Sequence, residues 1–349
     1  MWRCSASCLV GALALLVASV LPAATVPEPI PVSNYNWLQL RASDVTASVG
    51  GGVGGGNGYG APADVRWGVH VWIPDGTMTS NGNSRYWAAL KFDQSRQVTN
   101  VWVQWWTQEG TGLSNYFIDG SSDGTNWVLI GQKDYGLMSS NQARNRDKIV
   151  VTNGLYQYVR VRLEPGGYRY ANAGRGGPGI YSIEPLGDGI VDSTHLNWAN
   201  QPNFGTTAAI NGLGFNGTRF NDGYLYDDEG TRTGNNPGNW DPGDYAQIDL
   251  KQNRRFDTVT LVWDSDWYGT NCNVAYSTDG TNYLTATNRV GPFYNDGFHG
   301  SMEIRFDPVL KARYVRVQDL TTPTSYALFN QFLVLGAGPE PPGTLMQVR

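Results

Sequence analysis

Trp267 and Tyr268 follow directly on Asp264 and Asp266, and a second cluster of rings and polar groups, Phe293, Tyr294, Asp296 and His299, comes soon after. Tyr326 adds a third aromatic further on. Rings beside carboxylates and an imidazole suit a sugar: a ring stacks on the apolar face of a pyranose while polar groups bond its hydroxyls. The first half of the chain holds a more basic set, Tyr168, Tyr170 and Arg144. Asp264 with Asp266, or Asp227 to Glu229, would also supply the carboxylate pair of a glycosidase; the preferred reading is solvated loop carboxylates. His70, His195 and His299 lack metal-ligand spacing. Gly120, Ser122 and Gly124 spell the G-x-S-x-G pattern of a nucleophile elbow, but a strand signal follows where that motif needs a helix. The glycines of residues 50–60 contain a formal G-x-G-x-x-G without the strand and helix that would make it a nucleotide loop. No catalytic constellation is expected.

These residues need elements to hold them, and the sequence supplies the same elements twice. Ser121-Ser122-Asp123-Gly124-Thr125-Asn126-Trp127 matches Ser277-Thr278-Asp279-Gly280-Thr281-Asn282-Tyr283, and Tyr158-Val159-Arg160-Val161 matches Tyr314-Val315-Arg316-Val317. The spacing between the two blocks is kept, so the repeat reads as a duplicated domain; solenoid and propeller repeats are far shorter. Val101, Val103 and Trp105 alternate with Trp102, Gln104 and Trp106, and Val259, Leu261 and Trp263 alternate in the same way. That period of two predicts strands with one buried face. Asp123-Gly124 and Asp279-Gly280 read as hairpin turns, and no segment shows a helical apolar stripe. The expected fold is all-β: two tandem antiparallel β-sandwiches of jelly-roll type.

Strand direction locates the ligand end. Antiparallel strands reverse at each short connection. If residues 256–263 run upward, then 264–271, 288–300 and 319–326 are top loops, while the Asp279-Gly280 turn lies at the bottom. The aromatic clusters then share one end. The same count in the first half makes 107–115, 132–146 and 164–179 top loops, which adds Tyr135 and Arg146 to the set.

Composition narrows the class. The chain has 349 residues, 16% of them charged, with 44 Gly and a net charge of −5. Low charge and many glycines favour turn-rich β structure, and the acidic balance argues against nucleic acid. Arg3 followed by the apolar run 9–21 and Pro22-Ala23-Ala24 reads as a secretory signal peptide over residues 1–24. Cys4 and Cys8 would leave with it, and Cys272 then reads as a small buried apolar residue, with a free thiol or an intermolecular bridge as the alternative. No later stretch is long and apolar enough for a transmembrane helix. The expected order is signal peptide 1–24, linker 25–32, β-sandwich domains 33–187 and 188–338, and a Pro-rich tail 339–349. Without a cysteine pair between them, each domain is expected to fold alone.

On the turn Tyr276-Ser277-Thr278-Asp279-Gly280-Thr281-Asn282-Tyr283, the run Ala312-Arg313-Tyr314-Val315-Arg316-Val317 and the closing strand ending at Gly336, the chain resembles a pair of discoidin, or coagulation-factor type C, domains. Bacterial carbohydrate-binding modules share that galactose-binding-like fold. The resemblance covers about 241–336 well and 88–187 less closely. It implies a structural calcium near the ligand end, held by an Asp-Gly loop and a carboxylate of the final strand. Asp75 and Asp222 match the loop; Ser182 and Gln331 occupy the strand position, and neither is a carboxylate. The expected function is a secreted, non-catalytic glycan-binding protein. The alternatives are an adhesion or matrix module for a protein or anionic surface, and the binding part of a larger carbohydrate-active enzyme.

Overall fold

A computed structural model describes residues 27–50, 85–106, 111–140, 145–166, 168–170, 179–211, 220–222, 243–263, 271–290, 301–321 and 329–337. The described residues are nearly all β, in two antiparallel sheets. The first holds β1 (Pro29–Asn36), β2 (Val45–Gly50), β3 (Tyr86–Trp106), β4 (Thr111–Ser121), β5 (Val128–Ser140), β6 (Asn145–Leu163), β7 (Tyr168–Tyr170) and β8 (Gly179–Asp192). The second holds β9 (Thr207–Asn211), β10 (Tyr245–Trp263), β11 (Asn271–Ser277), β12 (Leu284–Val290), β13 (Ser301–Thr321) and β14 (Phe329–Gly336). One short helix, α1 (Gln201–Phe204), lies between them, capped by Asn200 and closed by Gly205 in the left-handed region. No helix among the described residues is long and apolar enough to cross a membrane.

Each sheet is a β-sandwich built on one long two-stranded ribbon. In the first, β3 pairs with β6 along its length, with a register break between Lys91 and Arg96. Before the break β3 also pairs with β2, and after it with β8. In the second, β10 pairs with β13 and breaks between Asp249 and Arg254; β9 flanks its first half and β14 its second. Alternation supplies the core: Val101, Val103 and Trp105, and Val259 and Leu261, are fully buried. So are Val159, Val315 and Val317 from the other ribbon halves.

The two Asp-Gly turns are built alike. Asp123 Oδ1 accepts from the Thr125 and Asn126 amides at 2.8 Å each, and Ser121 Oγ from the Gly124 amide at 2.9 Å. Asp279 and Ser277 do the same for Thr281, Asn282 and Gly280. Gly124 and Gly280 have φ of +78° and +79°, where a side chain is strained. The Asn126 and Asn282 amides head the donors that hold the Asp123 and Asp279 carboxyls well below the ordinary range.

The domain edges differ from the sequence reading. Pro29 to Val32 pair with Asp192 to Gly189, so part of the expected linker is strand, and a cut after residue 187 would fall inside β8. The halves are also joined by polar contacts. Gln39 Oε1 accepts from Asn197 Nδ2 at 3.1 Å and Asn200 Nδ2 at 2.8 Å, and the Tyr35 hydroxyl accepts from the Asn197 amide at 3.1 Å. Arg41 donates to Thr194 O at 2.6 Å, Thr258 Oγ1 at 3.0 Å and Asp257 Oδ1 at 2.6 Å, and also to Gly336 O. These contacts tie residues 33–187 to residues 188–338.

Candidate functional site

The second sheet brings the anchors of three connections together. Val262 faces Ser301, Trp263 faces Phe329, Asn271 faces Thr321 and Cys272 faces Val290. The connections 264–270, 291–300 and 322–328 start and finish at these pairs. The sequence-predicted residues on them, Asp264, Asp266, Trp267, Tyr268, Phe293, Tyr294, Asp296, His299 and Tyr326, lie outside the described residues, as do Arg144 and Asp75.

In the first sheet the predicted loops are shorter than expected. β4 starts at Thr111, β5 continues to Ser140, and Gly112 still faces Ser140. Tyr168 and Tyr170 belong to β7, paired with Leu113 and Thr111 rather than lying in a loop. Glycine and polar residues hide the alternation there, while the backbone groups still find partners across the ladder. Tyr135, read as a loop residue, sits in β5 and gives its hydroxyl to buried Asp147, which also accepts from the Tyr116 hydroxyl at 2.7 Å. Burial first, and that carboxylate second, push the Tyr116 hydroxyl well above the ordinary tyrosine range. Arg146 lies in β6, its guanidinium 3.8 Å over the Trp102 ring. Nearby Glu184 is fully buried, accepting from Asn36 Nδ2 at 2.8 Å and Ser182 Oγ at 2.9 Å. Sequence reasoning missed Glu184, two positions from Ser182 on the same face of β8.

The expected metal pair does meet: Gln331 Nε2 donates to Asp222 Oδ1 at 3.2 Å. Yet this presents an N–H to the carboxylate, and Gln331 Oε1 accepts from Gln39 Nε2 at 3.3 Å. Calcium needs six to eight oxygens, several of them charged. Among the described residues the set is one carboxylate and an engaged amide, short of that number. Ligand atoms of Asp44, Asp93 and His195 also lie within 4.8 Å of one another. They are engaged as well: His195 Nδ1 is 2.6 Å from Asp44 Oδ2, and Asp93 accepts from Arg96 at 2.8 Å. Cys272 is buried, which raises its thiol to about 12 and leaves it inert.

A charged, aromatic face lies on the outside of the first sheet. Along β4 and β6 the inward residues are Ile118, Val159 and Val161, leaving Asp119, Arg160 and Arg162 outward. Asp119 Oδ2 accepts from Arg160 Nε at 3.0 Å, Arg160 Nη2 at 2.7 Å and Arg162 Nε at 2.8 Å. The Arg160 guanidinium lies 4.0 Å over the Trp127 ring. A groove of about 520 Å³ opens there between Trp87 and Trp127.

Residues 201–332 match the F5/8 type C domain model. No curated protein matches. Among solved structures, the family 32 module from C. perfringens NanJ in complex with galactose is 12% identical, covering 44% of this chain and 98% of its own at a TM-score of 0.31. A fucolectin from Morone saxatilis serum is 14% identical over 88% of this chain and 100% of its own, at 0.28. The structure of allantoicase gives 12% identity over 87% and 94%, at 0.35. At such identities, what those proteins bind stays a property of those proteins.

Proposed function

We propose that this chain, whose residues 201–332 match the F5/8 type C domain model, is a secreted, non-catalytic protein that binds glycans through two tandem carbohydrate-binding-module-like domains. What supports the reading is the convergence of three strand connections at paired strand ends of the second sheet. Those connections carry Trp267, Tyr268, Phe293, Tyr294, Asp296, His299 and Tyr326. Secretion rests on Arg3 and the apolar run 9–21. The duplication rests on the two matching turn motifs and on ribbons that break at matching places, Lys91/Arg96 and Asp249/Arg254.

The binding step is stacking of one sugar face on the loop rings, with Asp264, Asp266 and Asp296 accepting from hydroxyls. Such bonds replace bonds to water, so each contributes only about 0.5–1.5 kcal/mol net. A single site is weak, and tethered domains gain through effective concentration on a polymer. A glycan array on the full chain should find neutral sugars. Trp267→Ala should then abolish most of that binding in calorimetric titration, while the melting temperature moves little. Unchanged binding removes Trp267 from the site; a collapsed melting curve assigns its ring to the core.

A further inference from the structure

We propose that the outer face of the first sheet is a second ligand site, and that it takes an acidic oligosaccharide bearing carboxylate or sulfate groups. It shares the glycan reading but uses none of the connections at the far strand ends. The groove crosses four neighbouring strands, β5, β4, β6 and β3. Three steps between strands span roughly 14 Å, room for a run of sugar rings rather than one.

Both walls are aromatic and both are fixed. Trp127 Nε1 donates to Gly124 O at 3.1 Å, and its ring meets Tyr158 edge-on at 6.2 Å. Trp87 lies over Gly50, where an added Cβ would sit 2.3 Å from the ring. Beside Trp127, Leu129 is 54% exposed although it is a large apolar residue. Because Arg160 covers one face of Trp127, the Trp87 ring and the exposed Leu129 offer the stacking area, at little cost in side-chain entropy.

Charge selects the ligand. Among the described residues Arg85, Arg160 and Arg162 meet two carboxylates, Asp119 and Glu164, so these side chains carry surplus positive charge. Asp119 is saturated by Arg160 and Arg162. Arg85 is held through Nε by Glu164 at 2.7 Å while its side chain stays 66% exposed. Its remaining guanidinium nitrogens are placed to donate to an incoming carboxylate or sulfate oxygen. The corresponding face of the second sheet is filled instead, because Arg316 lies 3.6 Å from both the Tyr245 and the Tyr283 ring centres.

The test is calorimetric titration of the full chain with four probes: an oligogalacturonate tetramer, a heparin-derived tetrasaccharide, a neutral galactan tetramer and a Glu-rich peptide. The two acidic sugars distinguish carboxylate from sulfate as the anion. Arg85→Gln and Leu129→Glu change exposed residues, and circular dichroism verifies their folding. At least one acidic sugar should bind, more weakly as salt rises, and each variant should weaken it by about tenfold or more. Trp267→Ala should leave this binding intact even where it removes neutral glycan binding, so the two sites are told apart. The proposal is overturned if no acidic sugar binds, if the neutral tetramer or the peptide binds as tightly, or if only Trp267→Ala affects the acidic ligand.

Discussion

Replacing Arg41 by alanine should loosen the junction of the two sandwiches. The guanidinium reaches acceptors that include Thr194 O, Thr258 Oγ1, Asp257 Oδ1 and Gly336 O. Its side chain is 19% exposed, against 31% for Asp257. Breaking a fully buried pair costs about 3–5 kcal/mol. Asp257 can partly rehydrate, which lowers the cost, whereas the carbonyls of Thr194 and Gly336 lose a charged donor. A loss of about 3 kcal/mol follows, or about 6–12 °C at 2–4 °C per kcal/mol for domains of this size. Arg41→Lys should recover only part of it, because one ammonium cannot meet acceptors spread around a planar fork. Differential scanning calorimetry and urea unfolding of the full chain measure both variants. A loss below about 1 kcal/mol for alanine, or full recovery with lysine, would refute the reasoning.

His195 and Asp44 should make stability depend on pH from both sides. The hydrogen bond that it donates to Asp44 raises the His195 imidazole above its usual 6.5, so its contribution is complete below about 6.5 and fades as pH climbs through the raised value. Burial raises the Asp44 carboxyl, but hydrogen bonds from His195 and Ser43 outweigh it and bring the value below 3.8, so its contribution holds above that and fades in acid. Melting temperatures of His195→Gln should therefore lose the decline above pH 6.5; an unchanged slope would count against the pair. Gly336→Ala and Gly187→Ala should each lower stability by several kcal/mol, since each added Cβ would lie 1.8 Å from a backbone oxygen, Ser193 O or Gln97 O; near-normal unfolding of either variant would contradict this. Because Gln331 turns its amide nitrogen to Asp222, chelation should leave the melting curve where it was, and a shift across a calcium titration would show that the amide rotates to serve a metal.

The strands around Val103, Leu261 and Val315 were legible because burial on one face forces a period of two into the sequence. The Asp-Gly turns were legible because their bonds are local, within three residues of Asp123 or Asp279. The junction was not. Arg41 and Asp257 lie 216 positions apart, and nothing near either residue announces the partner. Glu184 was missed because a carboxylate in a closing strand reads as exposed, although here Asn36 and Ser182 hold it inside. β7 was missed because three residues leave no period to read. The outward residues Arg160 and Arg162 were legible as the exposed half of a strand. Asp119, which organises them, becomes meaningful only once β4 is paired beside β6.

That pairing explains why two faces built to one plan diverge. Asp119 stands opposite Arg160, and Ala275 stands opposite Arg316. In the first sheet the carboxylate draws both arginines onto itself, so Arg160 covers Trp127 and the space toward Trp87 stays open. In the second, the alanine methyl offers no acceptor, and Arg316 turns to Gln247 Oε1 at 2.9 Å. Gln247 also accepts from the Tyr283 hydroxyl at 2.5 Å, which fixes that ring against the guanidinium. The arginine thereby becomes filler between two tyrosines, with its charge satisfied by π faces and an amide. One side chain on the middle strand thus decides whether the same aromatic pair encloses a groove or a packed stack. If both sandwiches bind glycans at their loop ends, the open face gives the first a second chemistry that the other lacks.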